Sequence, residues 1–120
     1  MLINNFKRTH SGAIWLDALQ TMSNATSVNL PIVPEGIGAT EIDKFFVGGV
    51  TLDSGSLDTE IAEGRAFLAG QNNGNNSATS VTLTGLDPGR WYSVIGRRYE
   101  ADGVTPVSPE VWSNRELLVT

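Results

Sequence analysis

Polar and apolar positions alternate most regularly over residues 79–94. Thr79, Val81 and Leu83 alternate with polar neighbours, as one half-buried strand does, and Trp91-Tyr92-Ser93-Val94 restarts the alternation after the turn residues Gly85-Leu86-Asp87-Pro88-Gly89. Upstream, Val28, Leu30 and Ile32 share a face, and Pro31, which lacks a ladder donor, predicts an edge strand, the first of the sheet. Phe45 to Leu52 is an apolar run of strand length that predicts a second strand with a bulge at Gly48-Gly49. Asp53-Ser-Gly-Ser56 turns the chain, Leu57 to Glu63 fits one helical turn or a loop, and Arg65 to Ala69 reads as the third strand. Gly70 to Ser77 is a polar loop with a hairpin signal at Asn73-Gly74. Glu100 to Pro109 is a further loop, and Val111 to Val119 closes the sheet with Trp112, Leu117 and Val119. Before all of these, Ser11-Gly12 can open an amphipathic helix whose apolar side is Ile14, Trp15, Ala18, Leu19 and Met22.

The strand that begins at Trp91 poses a question of phase. With Tyr92 and Val94 inward, strict alternation also sends Gly96 and Arg98 inward and points Trp91, Ile95 and Tyr99 out. Either a bulge at Gly96 returns Tyr99 to the core, or the outer face carries an aromatic-aliphatic stripe that needs a covering partner.

Leu86, Pro88 and Tyr92 have the spacing of a tyrosine corner, in which a Tyr opening a strand bonds back to the backbone before it. Ser-Val-Thr-Leu-Thr-Gly-Leu-Asp-Pro-Gly-Arg-Trp-Tyr-Ser-Val, followed by Ala101-Asp102-Gly103 and Val111-Trp-Ser-Asn114, resembles the second half of a fibronectin type III domain. The likeness is good over 79–120, loose over 26–78 and absent over 1–24, and Gly96 and Arg98 stand where that family has apolar residues. It implies an all-β fold, a fibronectin type III or immunoglobulin-like β-sandwich of about seven strands over 25–120. Tyr92 is expected to be buried, with its hydroxyl bonded near Leu86 or Asp87. Residues 1–24 are then an N-terminal arm outside the module, read as docking on a neighbouring subunit because a short helix with a Trp is marginal alone.

Composition agrees with one β-rich domain. A chain of 120 residues buries roughly 65% of its unfolded surface, and 13 Gly, 5 Pro and 40% hydrophobic residues suit a globular protein rich in turns. There is no Cys, so disulfides, thiolate metal sites and Cys nucleophiles are excluded. The first residues lack the order of a signal peptide and no apolar run reaches ~20 residues, so the expectation is synthesis in the cytoplasm without export and no membrane partner. The net charge of −5 is concentrated in residues 35–63, where seven acids face Lys44 alone. Such a chain repels phosphate backbones, which argues against nucleic acid; Arg90, Arg97 and Arg98 make at most a small basic spot.

Candidates for chemistry are few. His10 is the sole histidine, without an organised acid beside it. Asp58, Glu60 and Glu63 could form a carboxylate pair but read better as a solvated acidic loop. Asp53 to Asp58 has oxygen ligands without the calcium-loop pattern, so no metal and no cofactor is expected. Asn24-Ala-Thr26 and Asn75-Asn-Ser77 are sequons that need a secretory route.

The expectation is a non-enzymatic structural or interaction protein of a larger assembly. By analogy with the fibronectin-like module, this resembles accessory proteins of tailed bacteriophage virions, such as head decoration, collar or tail proteins, made in the host cytoplasm and partnered by other virion subunits. Its contact residues would be Ile14, Trp15, Leu19, Met22, Trp91, Ile95 and Tyr99. The alternative is a carbohydrate- or host-surface-binding module using Trp91, Tyr99 and Trp112 on a surface glycan; an accessory domain of a secreted polysaccharide-degrading enzyme is disfavoured by the absent leader and catalytic domain.

Overall fold

The computed structural model describes residues 13–16 and 25–120, in which seven strands form two antiparallel sheets. The strands are β1 (Ile14–Leu16), β2 (Val28–Pro34), β3 (Ile42–Gly48), β4 (Ala66–Asn73), β5 (Ser80–Leu83), β6 (Trp91–Tyr99) and β7 (Glu116–Val119). One helix, α1 (Leu57–Ala62), lies between β3 and β4. The sheet orders are β1-β2-β5 and β4-β3-β6-β7, which is the expected all-β sandwich of seven strands.

Alternation accounts for the core between the sheets. Val28, Leu30 and Ile32 of β2 meet Phe45 and Val47 of β3, Tyr92 and Val94 of β6, and Leu118 of β7, with Ile14, Leu16, Val81 and Leu83 completing the cluster. β7 runs in the opposite phase to the expectation: Leu118 is fully buried, while Leu117 is exposed.

Ile14 to Leu16 is a strand of this sandwich, not part of a docking helix. Ile14 and Leu16 alternate about Trp15, pair with Pro34 and Ile32, and are buried in the core. A β-branched and an aromatic residue facing the unpartnered side of β2 gain a ladder and a core at once, which outweighs the local amphipathic spacing. The boundary drawn at residue 25 therefore cuts off the first strand, and Ile14 is a core residue rather than a contact to another subunit. Leu19 and Met22 lie outside the described residues, as do His10 and Asn24.

β2 is consequently the second strand and the middle of its sheet, not an edge. Pro31 is tolerated because the ladders change over beside it: β5 pairs with residues 28–31 and β1 with residues 32–34. β3 starts earlier than expected and ends at Gly48. The irregularity sits not there but opposite, where β3 neighbours Phe45 and Phe46 pair with Gly70 and Leu68 and Ala69 is the extra residue. The bulge brings β4 against β5; a Cβ on Gly70 would come 2.7 Å from the Thr82 carbonyl oxygen, and Thr84 N–H donates to the Ala69 carbonyl at 2.9 Å. Asn73-Gly74 does turn the chain, with Gly74 at φ 64°, but β4 and β5 belong to different sheets, so no tight hairpin forms.

β6 keeps strict alternation, in unbroken register with β3 from Ile42↔Tyr99 to Gly48↔Ser93. There is no phase shift at Gly96. That residue faces inward beneath the Phe45 ring, where a Cβ would come within 2.9 Å of Phe45 Cε1, so the aromatic occupies the volume an apolar side chain would have filled. Tyr99 and Ile95 point outward and are nevertheless buried, because the connection 49–65 folds back over them. Leu52 and Leu57 are packed with Phe46, Ala66, Ile95 and Tyr99 in a second cluster, flanked by Ile61 and Trp112. The covering partner for this stripe is the chain itself.

Candidate interaction surface

The tyrosine corner positions the most exposed aromatic among the described residues, Trp91. Asp87 N–H donates to the Tyr92 hydroxyl at 2.8 Å, and Leu86 N–H donates to the Thr26 carbonyl at 3.1 Å. Gly85 and Gly89 adopt φ 75° and 71°, values that favour glycine and let Leu86 drop into the core between them. Thr120 ties the corner from the other side: Arg90 N–H donates to Thr120 Oγ1 at 2.9 Å, Thr120 N–H donates to the Arg90 carbonyl at 2.8 Å, and the Thr120 hydroxyl donates to the Asp87 carbonyl. With Tyr92 held inward, Trp91 must point out, and it is 59% exposed.

Trp91 is accompanied by further apolar side chains on the same face. It pairs with Val119, and the next outward pair is Ser93 with Leu117. Leu117 is 46% and Val50 51% exposed. Arg115 crosses the middle of this patch, donating to the Val50 carbonyl and, at 3.2 Å, to Ser93 Oγ. Trp91, Val119 and Leu117 thus share the outward face of β6 and β7, and the guanidinium that reaches Ser93 and the Val50 carbonyl makes these bonds within the chain. Of the other expected contact residues, Ile95 and Tyr99 belong to the covered cluster, and Trp15 is half-buried opposite Val33.

The charged candidates resolve into structural pairs. Arg97 is buried against the Trp112 ring, 4.3 Å from its centroid, and its guanidinium joins Asp58 on α1 to Glu110. Burial alone would lower its pKa, but the hydrogen bond it donates to Glu110 and the charge of Asp58 hold it above the usual arginine value. The Tyr99 hydroxyl is pushed up by burial, against the opposing influence of Arg97. Glu60 is not a solvated acid: it is buried, accepts from Ser56 Oγ and lies 3.3 Å from Arg65. Glu63 pairs with Arg65 at 2.6 Å, and Asp53 accepts from Ser56 N–H at 3.1 Å, closing the turn before α1. Among the described residues no group of three or more His, Asp or Glu could hold a metal ion.

Arg98 was legible as a charge on an inward position, but its partner was not. Asp43 lies directly opposite on β3, and its in-phase spacing from Phe45 and Val47 was the signal available. Arg98 Nε donates to Asp43 Oδ1 at 2.7 Å, and Arg98 Nη1 donates to the Glu35 carbonyl at 3.1 Å. Burial raises the Asp43 pKa, opposed by the hydrogen bonds and charge of Arg98. With Arg97 and Arg98 both enclosed, the basic spot expected from Arg90, Arg97 and Arg98 reduces at the surface to Arg90, which lies 3.8 Å from Asp87.

No protein-family model matches this chain, and no curated protein matches it.

Proposed function

We propose that this protein is a non-enzymatic interaction module, a structural subunit of a larger assembly that docks through Trp91 and its apolar neighbours. The observation that carries this reading is an indole 59% exposed on a strand whose backbone is locked by the Tyr92 corner and by Thr120. A large aromatic held rigidly in solvent loses little entropy on binding and offers area that becomes favourable only when covered. Among the described residues, the acids weighed for catalysis are tied into structural pairs: Asp58 to Arg97, and Glu60 and Glu63 to Arg65. The fibronectin type III resemblance and the virion setting, with partners drawn from the other subunits of a bacteriophage particle, belong to the same proposal; the tyrosine corner and the two-sheet order support the first of them.

Glycan binding is the second reading, favoured only by the Trp91 ring itself. Sugar platforms combine a ring with free hydrogen-bonding groups, whereas Trp91 is bordered by Val119 and Leu117, and the Arg115 guanidinium is engaged within the chain. The test is sedimentation equilibrium over a range of concentrations on the wild type, Trp91→Ala and Leu117→Ser, with a glycan array in parallel. Association lost in both variants supports docking. Glycan binding that depends on Trp91 in a monomeric chain overturns it.

A further inference from the structure

The polar loop after β4 contains a device that the docking surface does not use. Asn73 ends β4 as an exposed residue, paired with Ile42, and is followed by Gly74 at φ 64°. Gly74 has no side chain to shield its backbone nitrogen from the preceding amide, which neither Asn72, Asn75 nor Asn76 enjoys, being followed by Asn, Asn and Ser. Two residues back on the same face, Gln71 Nε2 donates to Asn73 Oδ1 at 2.8 Å. A donor on an amide oxygen stabilises the negative charge that develops there when a nucleophile adds to the carbon.

We propose that Asn73-Gly74 is a self-modification site at which the chain deamidates through a cyclic imide, with Gln71 as the positioning residue. The Gly74 backbone nitrogen adds to Asn73 Cγ and gives its proton to solvent, and the C–N bond to Nδ2 breaks with release of ammonia. Water then adds to either carbonyl of the imide, yielding aspartate or isoaspartate. No electrons are exchanged and the co-reactant is solvent water. Each product adds one negative charge, and isoaspartate also puts an extra methylene into the main chain beside Gly74. Gly74 itself is packed closely on its neighbour: a Cβ on it would come 2.1 Å from the Ala39 carbonyl oxygen. Lengthening the main chain at residue 73 in the isoaspartate product shifts Gly74 against the loop 35–41, whose Glu35 carbonyl accepts from the buried Arg98.

The experiment is a time course of the folded full chain at mildly alkaline pH, followed by peptide mapping for amide-to-acid conversion and by isoaspartate assay. The same course is run in urea and on Gln71→Leu and Asn73→Gln, residue 71 being exposed and tolerant of change. The expected result is conversion at Asn73 ahead of its neighbours Asn72, Asn75 and Asn76, abolished in Asn73→Gln, slowed several-fold by Gln71→Leu in the folded chain and unaffected by it in urea. Conversion of Asn73 in urea with none in the folded chain would overturn the proposal, because the fold would then shield the site. An unchanged folded-state rate in Gln71→Leu would equally remove Gln71 from the mechanism.

Discussion

Arg98 and Asp43 face each other across neighbouring strands inside the sandwich, Nε to Oδ1 at 2.7 Å, with side chains only 2% and 0% exposed. A buried pair of this kind is held by mutual satisfaction rather than by net gain, since each charge has been taken out of water. Arg98→Met strands the Asp43 carboxylate and is expected to cost about 3–5 kcal/mol. Adding Asp43→Leu to the same chain should recover most of that loss, as read by denaturant unfolding of the two single variants and the double. A double variant no more stable than the worse single one would contradict this account.

The corner hydrogen bond and the ring that makes it separate cleanly. Tyr92→Phe keeps the packing and loses the bond to Asp87 N–H, for an expected cost of about 1 kcal/mol. Tyr92→Ala also empties part of the core, and about 3–5 kcal/mol is expected. Urea midpoints with an unchanged slope would check both.

Outward-pointing residues of β6 should divide into two behaviours. Ile95 and Tyr99 are covered by Leu52, Leu57 and Ile61, so Tyr99→Ala and Leu57→Ala should each lower stability by about 2–5 kcal/mol. Trp91→Ala, on the same face but exposed, should fall within about 0.5 kcal/mol of the wild type while losing association. Thermal melting of the three variants distinguishes the outcomes.

Asp102 predicts an acid limb in the stability profile. Its carboxylate accepts from Thr105 Oγ1, Thr105 N–H and Val104 N–H, which lowers its pKa from 3.8 to about 2. Because the folded value lies below the unfolded one, the carboxylate stabilises the fold above pH 3.8, and that contribution fades as pH falls towards about 2. Asp102→Ala should therefore melt below the wild type at neutral pH and converge with it near the lower limit. A gap that persists at low pH would show that the loop is held by something other than this charge.

The parts of the fold that were readable were those where local chemistry and alternation point the same way. Gly85 to Gly89 is turn chemistry in a single stretch, so the corner, the inward Tyr92 and the outward Trp91 followed from residues 79–94 alone. The Asn73-Gly74 turn was equally local, and so was the oddity of Arg98 on an inward position. What alternation could not reveal is what lies across from a residue. Ile14 and Trp15 fit a helix until β2 offers them a ladder, Pro31 suggests an edge until two neighbours share its strand, and Tyr99 seems to need another molecule until residues 49–65 fold over it. Period and spacing are properties of one segment, whereas burial and charge pairing belong to two segments brought together. Asp43 with Arg98, and Asp58 with Arg97, are 55 and 39 residues apart in the chain, and only the closed sandwich makes them neighbours.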